Sequence, residues 1–211
     1  MSRVSETGNV LFLILVAVIL FGALSFTVGQ MLRSGNADII GDQQASILAD
    51  ETLATARQYR QAIQAMRISN ACDDTEISFE TSALTGYTNG SNTDCQIFNA
   101  DGGGLTYIAS PSDITTMDWV FTGSNIVDDV GTVAPDLVAI LPNINLKVCN
   151  QINEKTNTPA VGTDATVSFT RFTGTYASTQ TLDFAAGLPN GCLNYVNAGD
   201  NYFFYQVLIA R

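Results

Sequence analysis

Residues 10–28 read VLFLILVAVILFGALSFTV, and the run that contains them, residues 7–32, holds 26 consecutive positions without a charge between Glu6 and Arg33. A bilayer core of roughly 30 Å needs about 20 helical residues at 1.5 Å each, so this stretch is long enough to span it. A helix buried in a soluble core normally keeps a polar stripe; none is present here before Ser25. A cleaved secretory signal would have an apolar stretch of about 7–15 residues ending on an A-x-A site. Gly29-Gln30-Met31 does not supply one. The segment is therefore expected to be a retained transmembrane helix over 10–32, with the bilayer as its first partner and residues 1–9 as a leader or cytoplasmic tail. Within it, Gly22, Ser25 and Gly29 put small residues near one face, the spacing that lets helices approach each other in lipid.

Outward from that segment the chain is acidic. Of 211 residues, 9 are Lys or Arg and 20 are Asp or Glu, for a net charge of −11, and there is no histidine. Ser-His-Asp and Cys-His triads, a histidine base and a His-ligated metal are thereby excluded. Nucleic-acid binding is not expected either, because phosphate contact needs basic residues gathered on one face. All of the net negative charge follows residue 33, and so do the four cysteines, Cys72, Cys95, Cys149 and Cys192. None forms a C-x-x-C pair, which disfavours a zinc ribbon or a thioredoxin-like site. Two structural disulfides in an oxidising compartment is the simplest reading. Of the three possible pairings, Cys72–Cys95 and Cys149–Cys192 close short loops within separate halves, each contributing about 3–4 kcal/mol by loop entropy. The layout predicts a single-pass protein of the cytoplasmic (inner) membrane, N-terminus inside and C-terminal domain in the periplasm or outside.

After Ser34-Gly35-Asn36, residues 33–70 carry a second helical pattern. Ala45, Ala49, Leu53, Ala56, Tyr59, Ile63 and Met66 recur at steps of three and four, with polar residues between them. From 71 to 211 the texture becomes β-rich. Strands are expected at 76–81, 95–98, 105–109, 118–122, 137–141, 166–170 and 202–210, with Asn-Gly, Gly-Gly-Gly and Pro-Asn-Gly clusters as turns. Val120, Phe121, Val207 and Leu208 read as sheet core, the closing run NYFFYQVLIAR (201–211) as a central strand, and 143–154 as a short helix. The expected fold class is α+β: a transmembrane helix, a long amphipathic helix, and a mostly antiparallel disulfide-bonded sheet domain with one short helix.

This arrangement resembles the type IV pilins and pseudopilins, and is also similar to single-span proteins of alphaproteobacteria with pilin-like starts. The resemblance rests on the short leader, the run TGNVLFLILVAVILFGAL (7–24), the helix packed on a sheet and the later cysteines. It implies processing between Gly8 and Asn9, and assembly with copies of itself or related subunits. Where such chains carry Glu at the fifth mature position, this one has Leu13.

Other groups read more plainly. Asp73, Asp74 and Glu76, and the pair Asp128-Asp129, lack the calcium-loop spacing and read as solvated turn acids. Asp101-Gly102-Gly103-Gly104 lacks the Lys and Ser/Thr of a phosphate loop and reads as a hairpin turn. Without histidine a serine nucleophile would need Lys147 or Lys155, and neither has a Ser-x-x-Lys partner. Trp119, Tyr107, Phe121, Tyr202, Phe203, Phe204 and Tyr205 read as mostly core. No enzyme activity, cofactor, metal or small-molecule substrate is expected. The reading is a membrane-anchored structural protein, pilin-like, with a non-polymerising periplasmic binding or sensor module as the alternative; a virion membrane protein shares the same layout.

Overall fold

A computed structural model describes residues 14, 16, 20, 36–159, 167–177, 180–182, 187–195 and 201–211. The chain divides into two compact units, Met1–Gln44 and Ala45–Arg211. Its described elements are α1 (Asn36–Ser69), β1 (Val120–Val127), β2 (Asp136–Ile144), α2 (Leu146–Thr156), β3 (Gln180–Leu182), β4 (Asn190–Tyr195) and β5 (Asn201–Ile209). The sheet order is β3-β1-β2-β5-β4, with β1–β3 parallel and the other pairings antiparallel. The α+β class with a mostly antiparallel sheet is thus what the chain forms. The closing strand β5 lies between β2 and β4, hydrogen-bonded on both sides.

The stripe read on α1 is its inward face: Ala45, Ala49, Leu53, Ala56, Tyr59, Ile63 and Met66 are all buried. They meet a cluster that includes Phe79, Trp119, Phe121 and Phe204. α1 stops where Ala71 takes a left-handed φ of 52° and the N–H groups of Asn70 and Cys72 both reach the Met66 carbonyl, at 2.9 and 3.4 Å. On the other face of the sheet a second cluster gathers Val127, Val138, Ile140, Leu193, Phe203, Tyr205 and Val207. Phe121, Val207 and Leu208 are buried as expected, and Val120 is half-buried.

Several expected strands do not form. Residues 71–119 contain only a 3-10 turn, Thr93–Cys95, and isolated bridges at Ser78↔Gln96 and Thr81↔Leu84. Ile77, Phe79 and Ile97 are buried there, but their backbone is satisfied piecemeal. Ser78 donates to the Cys95 carbonyl, Ile97 donates to the Ser78 carbonyl, and Asn89 Nδ2 donates to the Ile77 carbonyl at 2.8 Å. Residues 105–109 find no ladder because the 101–104 turn folds back, sending the Leu105 N–H to the Ile97 carbonyl. That turn links no pair of strands, which corrects the hairpin reading. Gly102 and Gly103 lie there against the carbonyls of Gln96 and Ile97, where a Cβ would collide. Nor is 167–170 a strand. Ser168 instead pairs with the side chain of Asn125 on β1, accepting from Nδ2 at 2.9 Å and donating to Oδ1 at 2.8 Å. At the nearby irregularity of β1, a Cβ on Gly123 would sit 2.8 Å from the Phe172 ring. β3 and β4 were not anticipated from the sequence.

The disulfides are Cys72–Cys95 and Cys149–Cys192, with Cα atoms 5.8 and 5.4 Å apart. The first ties the end of α1 to the irregular lobe. The second fixes α2 to β4, an edge strand whose free backbone groups are a template for unwanted pairing. α2 is capped by Asn145, whose side chain accepts from Lys147 N–H at 2.9 Å, and ends at Asn157 with φ 54°. One turn after Cys149 on this helix, buried Asn153 donates to the Cys192 carbonyl at 2.9 Å and accepts its N–H at 2.8 Å. The amide acts as one rung of a missing neighbour strand. Replacing Asn153 by Ala strands both backbone groups, and urea unfolding should show a loss of about 2–4 kcal/mol with the disulfide intact.

Candidate functional site

α1 carries two chemistries on its two sides. Opposite the buried stripe lie exposed Ile47 and Ile68, at 67% and 84% exposure, with exposed Ala54, Gln61 and Ala65 between them. Along the same helix the charges segregate. Asp38, Asp42, Asp50 and Glu51 come first; Arg57, Arg60 and Arg67 follow, with no acid from 52 to 72. Asp50 is held by Lys155 at 2.8 Å on α2, and Arg67 by Asp74 at 3.0 Å. Among the described residues, Glu51, Arg57 and Arg60 have no ion pair.

Of the predicted site residues, Gly8, Asn9, Gly22, Ser25 and Gly29 lie outside the described residues. In the 10–32 segment Ile14, Val16 and Leu20 are helical, and Ile14 and Leu20 are each 59% exposed. Among the described residues no helix is long and apolar enough to cross a membrane.

The remaining groups are structural in their contacts. Asp73 N–H donates to Glu76 at 3.0 Å, an ordinary turn bond. Asp128 and Asp129 occupy the turn between β1 and β2, Asp129 with φ 55°. No group of three acids or cysteines suited to a metal forms among the described residues. Trp119, Phe121, Phe203, Phe204 and Tyr205 are buried, while Tyr107 and Tyr202 are half-buried. Burial, reinforced by the Asp118 carboxylate that accepts its hydroxyl at 2.9 Å, raises the pKa of Tyr107 above the ordinary phenol value. A groove of about 420 Å³ opens at one end of the sheet among Met117, Phe169, Arg171, Tyr195 and Tyr202. A second, of about 290 Å³, runs between α1 and the 104–114 segment, where Glu51, Thr55 and Gln58 face Ile108 and Pro111.

The sequence reading missed one cluster entirely. Buried Asp136, at the start of β2, accepts the N–H groups of Val127 and Arg211, both at 2.9 Å. The Arg211 guanidinium lies 4.0 Å over the Tyr176 ring, and its Nε is 3.9 Å from Asp74, which also holds Arg67 of α1. The Tyr176 hydroxyl donates to the Asp74 carbonyl at 3.3 Å. Arg211 is thereby held directly by Asp136 of β2, by Tyr176 and by Asp74 after α1, and is linked through Asp136 to β1 and through Asp74 to α1. No local pattern marks Asp136 as different from the surface acids of an acidic chain; only its burial does.

Burial raises the pKa of Asp136 above the usual carboxylate value, and the two backbone bonds and Arg211 offset this only in part. The folded state therefore binds this proton more tightly than the unfolded chain, whose carboxyl titrates near 3.8. Stability contributed by this group falls as pH rises from 3.8 to the raised value and is level above it. Unfolding free energies of the wild type relative to Asp136→Asn should decline as pH rises above about 4 and become level once Asp136 is ionised in the folded state. A difference that stays constant with pH would remove Asp136 as the titrating group.

Comparison of the chain with protein-family models, curated proteins and solved structures finds no match.

Proposed function

We propose that the chain is a non-enzymatic, membrane-anchored structural protein, a pilin-like subunit or minor component of a filament or secretion assembly. The observation that carries this reading is the 26-residue uncharged run at 7–32. A stretch that apolar has a large free-energy preference for hydrocarbon or for other apolar helices. Support comes from the exposure of Ile14 and Leu20 on its helical residues. Two disulfides, both after the run, fit an oxidising space on its far side. The mechanism is physical: apolar N-terminal helices pack in the inner membrane or a filament core, while the acidic domain stays in water. Partners are lipid and further copies or related subunits.

The groove among Phe169, Arg171, Tyr195 and Tyr202 favours a second reading, a periplasmic binding or sensor module that does not polymerise. It keeps the anchor and drops the assembly.

The test has two parts. The full-length chain should stay in the membrane pellet after alkaline carbonate washing, with its thiols inaccessible to alkylation until reduced. Substitution of Gly8 should leave a longer, unprocessed N-terminus and abolish pelletable filaments. Carbonate-soluble protein with four free thiols would end the anchored reading. Unprocessed, monomeric wild type would end its pilin-like form.

A further inference from the structure

We propose that the groove at the end of the sheet binds a small organic carboxylate with an aromatic body, its carboxylate on Arg171 and its ring among Met117, Phe169, Tyr195 and Tyr202. This gives a ligand class to the binding-module reading above and rests on the groove that favours it. The volume of about 420 Å³ lies within the range of small-molecule sites, about 300–1,000 Å³. Such sites combine apolar walls with a few placed polar groups. Val120 and Pro142 complete the walls here, and the polar groups beside Arg171 are the amides of Asn143 and Asn201.

The segment that carries the site is pinned to β1 on both sides of it. Ser168 is tied to Asn125 by two bonds, at 2.9 and 2.8 Å, and the Phe172 N–H donates to the Phe121 carbonyl at 2.8 Å. Phe169 and Arg171 lie between these pins. The Phe169 ring meets Tyr195 and Phe203 edge-on, at centroid distances of 6.0 and 6.3 Å. The stem of Arg171 passes Gly86, which has φ 85° and where a Cβ would lie 2.8 Å from Arg171 Cδ. Burial raises the pKa of Tyr87, and the nearby Arg171 guanidinium opposes the rise. The Tyr87 hydroxyl is itself fixed, accepting the Phe121 N–H at 2.9 Å. A cation so placed loses little freedom when a ligand arrives.

Charge selects the ligand further. In a chain of net charge −11, Arg171 has no ion pair and the groove has no acid in its lining, among the described residues. Asp118, the acid close enough to act on Tyr87, accepts the Tyr107 hydroxyl at 2.9 Å. One guanidinium fork matches one carboxylate in shape and charge. A phosphate dianion would stay half compensated, because no second cation lines the groove among the described residues. The rings and the Met117 thioether suit an aromatic body. A sugar would lose water from its hydroxyls against Met117, Val120 and Pro142.

The test is calorimetric titration of the full-length chain in non-ionic detergent at neutral pH, with protein-free micelles as the blank. The probes are N-acetylphenylalanine and its neutral amide, which differ only in the carboxylate. The acid should bind about tenfold more tightly than the amide, and added sodium chloride should weaken the acid alone. Arg171 is exposed, so Arg171→Gln spares the core; it should lower the acid to the affinity of the amide and leave the amide unchanged. Equal binding of the two probes, or acid binding unmoved by Arg171→Gln, would overturn the proposal. Loss of acid binding on Arg57→Gln with Arg60→Gln would put the anion on α1 and overturn it as well. Sedimentation of the same sample separates the two readings. Filaments end the non-polymerising module and leave the carboxylate site standing, whereas a monomer that binds neither probe loses the site and keeps the module.

Discussion

The ring of Tyr59 is the point on which the unit Ala45–Arg211 is organised. It meets Phe98, Trp119 and Phe121 edge-on, at centroid distances of 6.0, 5.4 and 5.2 Å. Those three come from the irregular lobe, the residue just before β1, and β1 itself. Phe121 in turn stacks flat on Phe79 at 4.0 Å. Next to Tyr59 the helix supplies the small Ala56 and Ala62, with Leu53, Ile63 and Met66 beyond them on the buried face. An alanine face has little volume, so the space beneath it has to be filled from the opposite side, and the aromatics of the sheet and lobe fill it. Each edge-to-face pair adds about 0.5–1.5 kcal/mol beyond its buried area. The cost of this solution is carried by the Tyr59 hydroxyl, whose ionisation burial pushes well above the ordinary phenol range.

Around that centre the fold uses side chains where a ladder is lacking. Asn125 and Asn153 each offer a donor and an acceptor to one backbone residue, the same pair of bonds an adjacent strand would give. The two disulfides act at the same level, fixing the irregular lobe to the end of α1 and the edge strand β4 to α2. A buried backbone group left unpaired costs about 1–3 kcal/mol. A lobe of turns can be part of the core only because such substitutes exist.

That division explains what was legible in the sequence. The stripe of α1 was readable because its apolar positions recur with the helical period and one side is wholly buried. β2 and β5 were readable because they are long apolar runs buried on both faces, and α2 because Val148 and Ile152 lie one turn apart. The segments at 76–81 and 105–109 have the composition of strands without a partner. Whether a partner exists depends on where Gly102 and Gly103 turn the chain, which composition does not encode. β4, NGCLNY, has too few β-branched residues to announce itself and is held by its neighbours. Asp136 looked like any other acid. Of the candidate site, the charge segregation of α1 and its exposed Ile47 and Ile68 were in the letters from the start. They acquire meaning only once the opposite face is known to be occupied.

The acidity of the chain constrains any assembly of it. With all of the net charge after residue 33, copies brought side by side repel one another, and the repulsion is weakened only beyond a screening length of about 8–10 Å. A general apolar contact between domains would have to overcome that field over its whole area. A contact that begins at 52–72 meets it differently, because this is where the chain concentrates positive charge and omits acids. Under the anchored reading proposed above, lipid would hold copies parallel and at high local concentration, which removes much of the entropy cost of orienting them. Under that reading, the charges of Glu51, Arg57 and Arg60 would have only to set an axial position. Choosing a position needs little energy but clear differences between alternatives, and opposed charges a few residues apart on an otherwise acidic surface provide such differences.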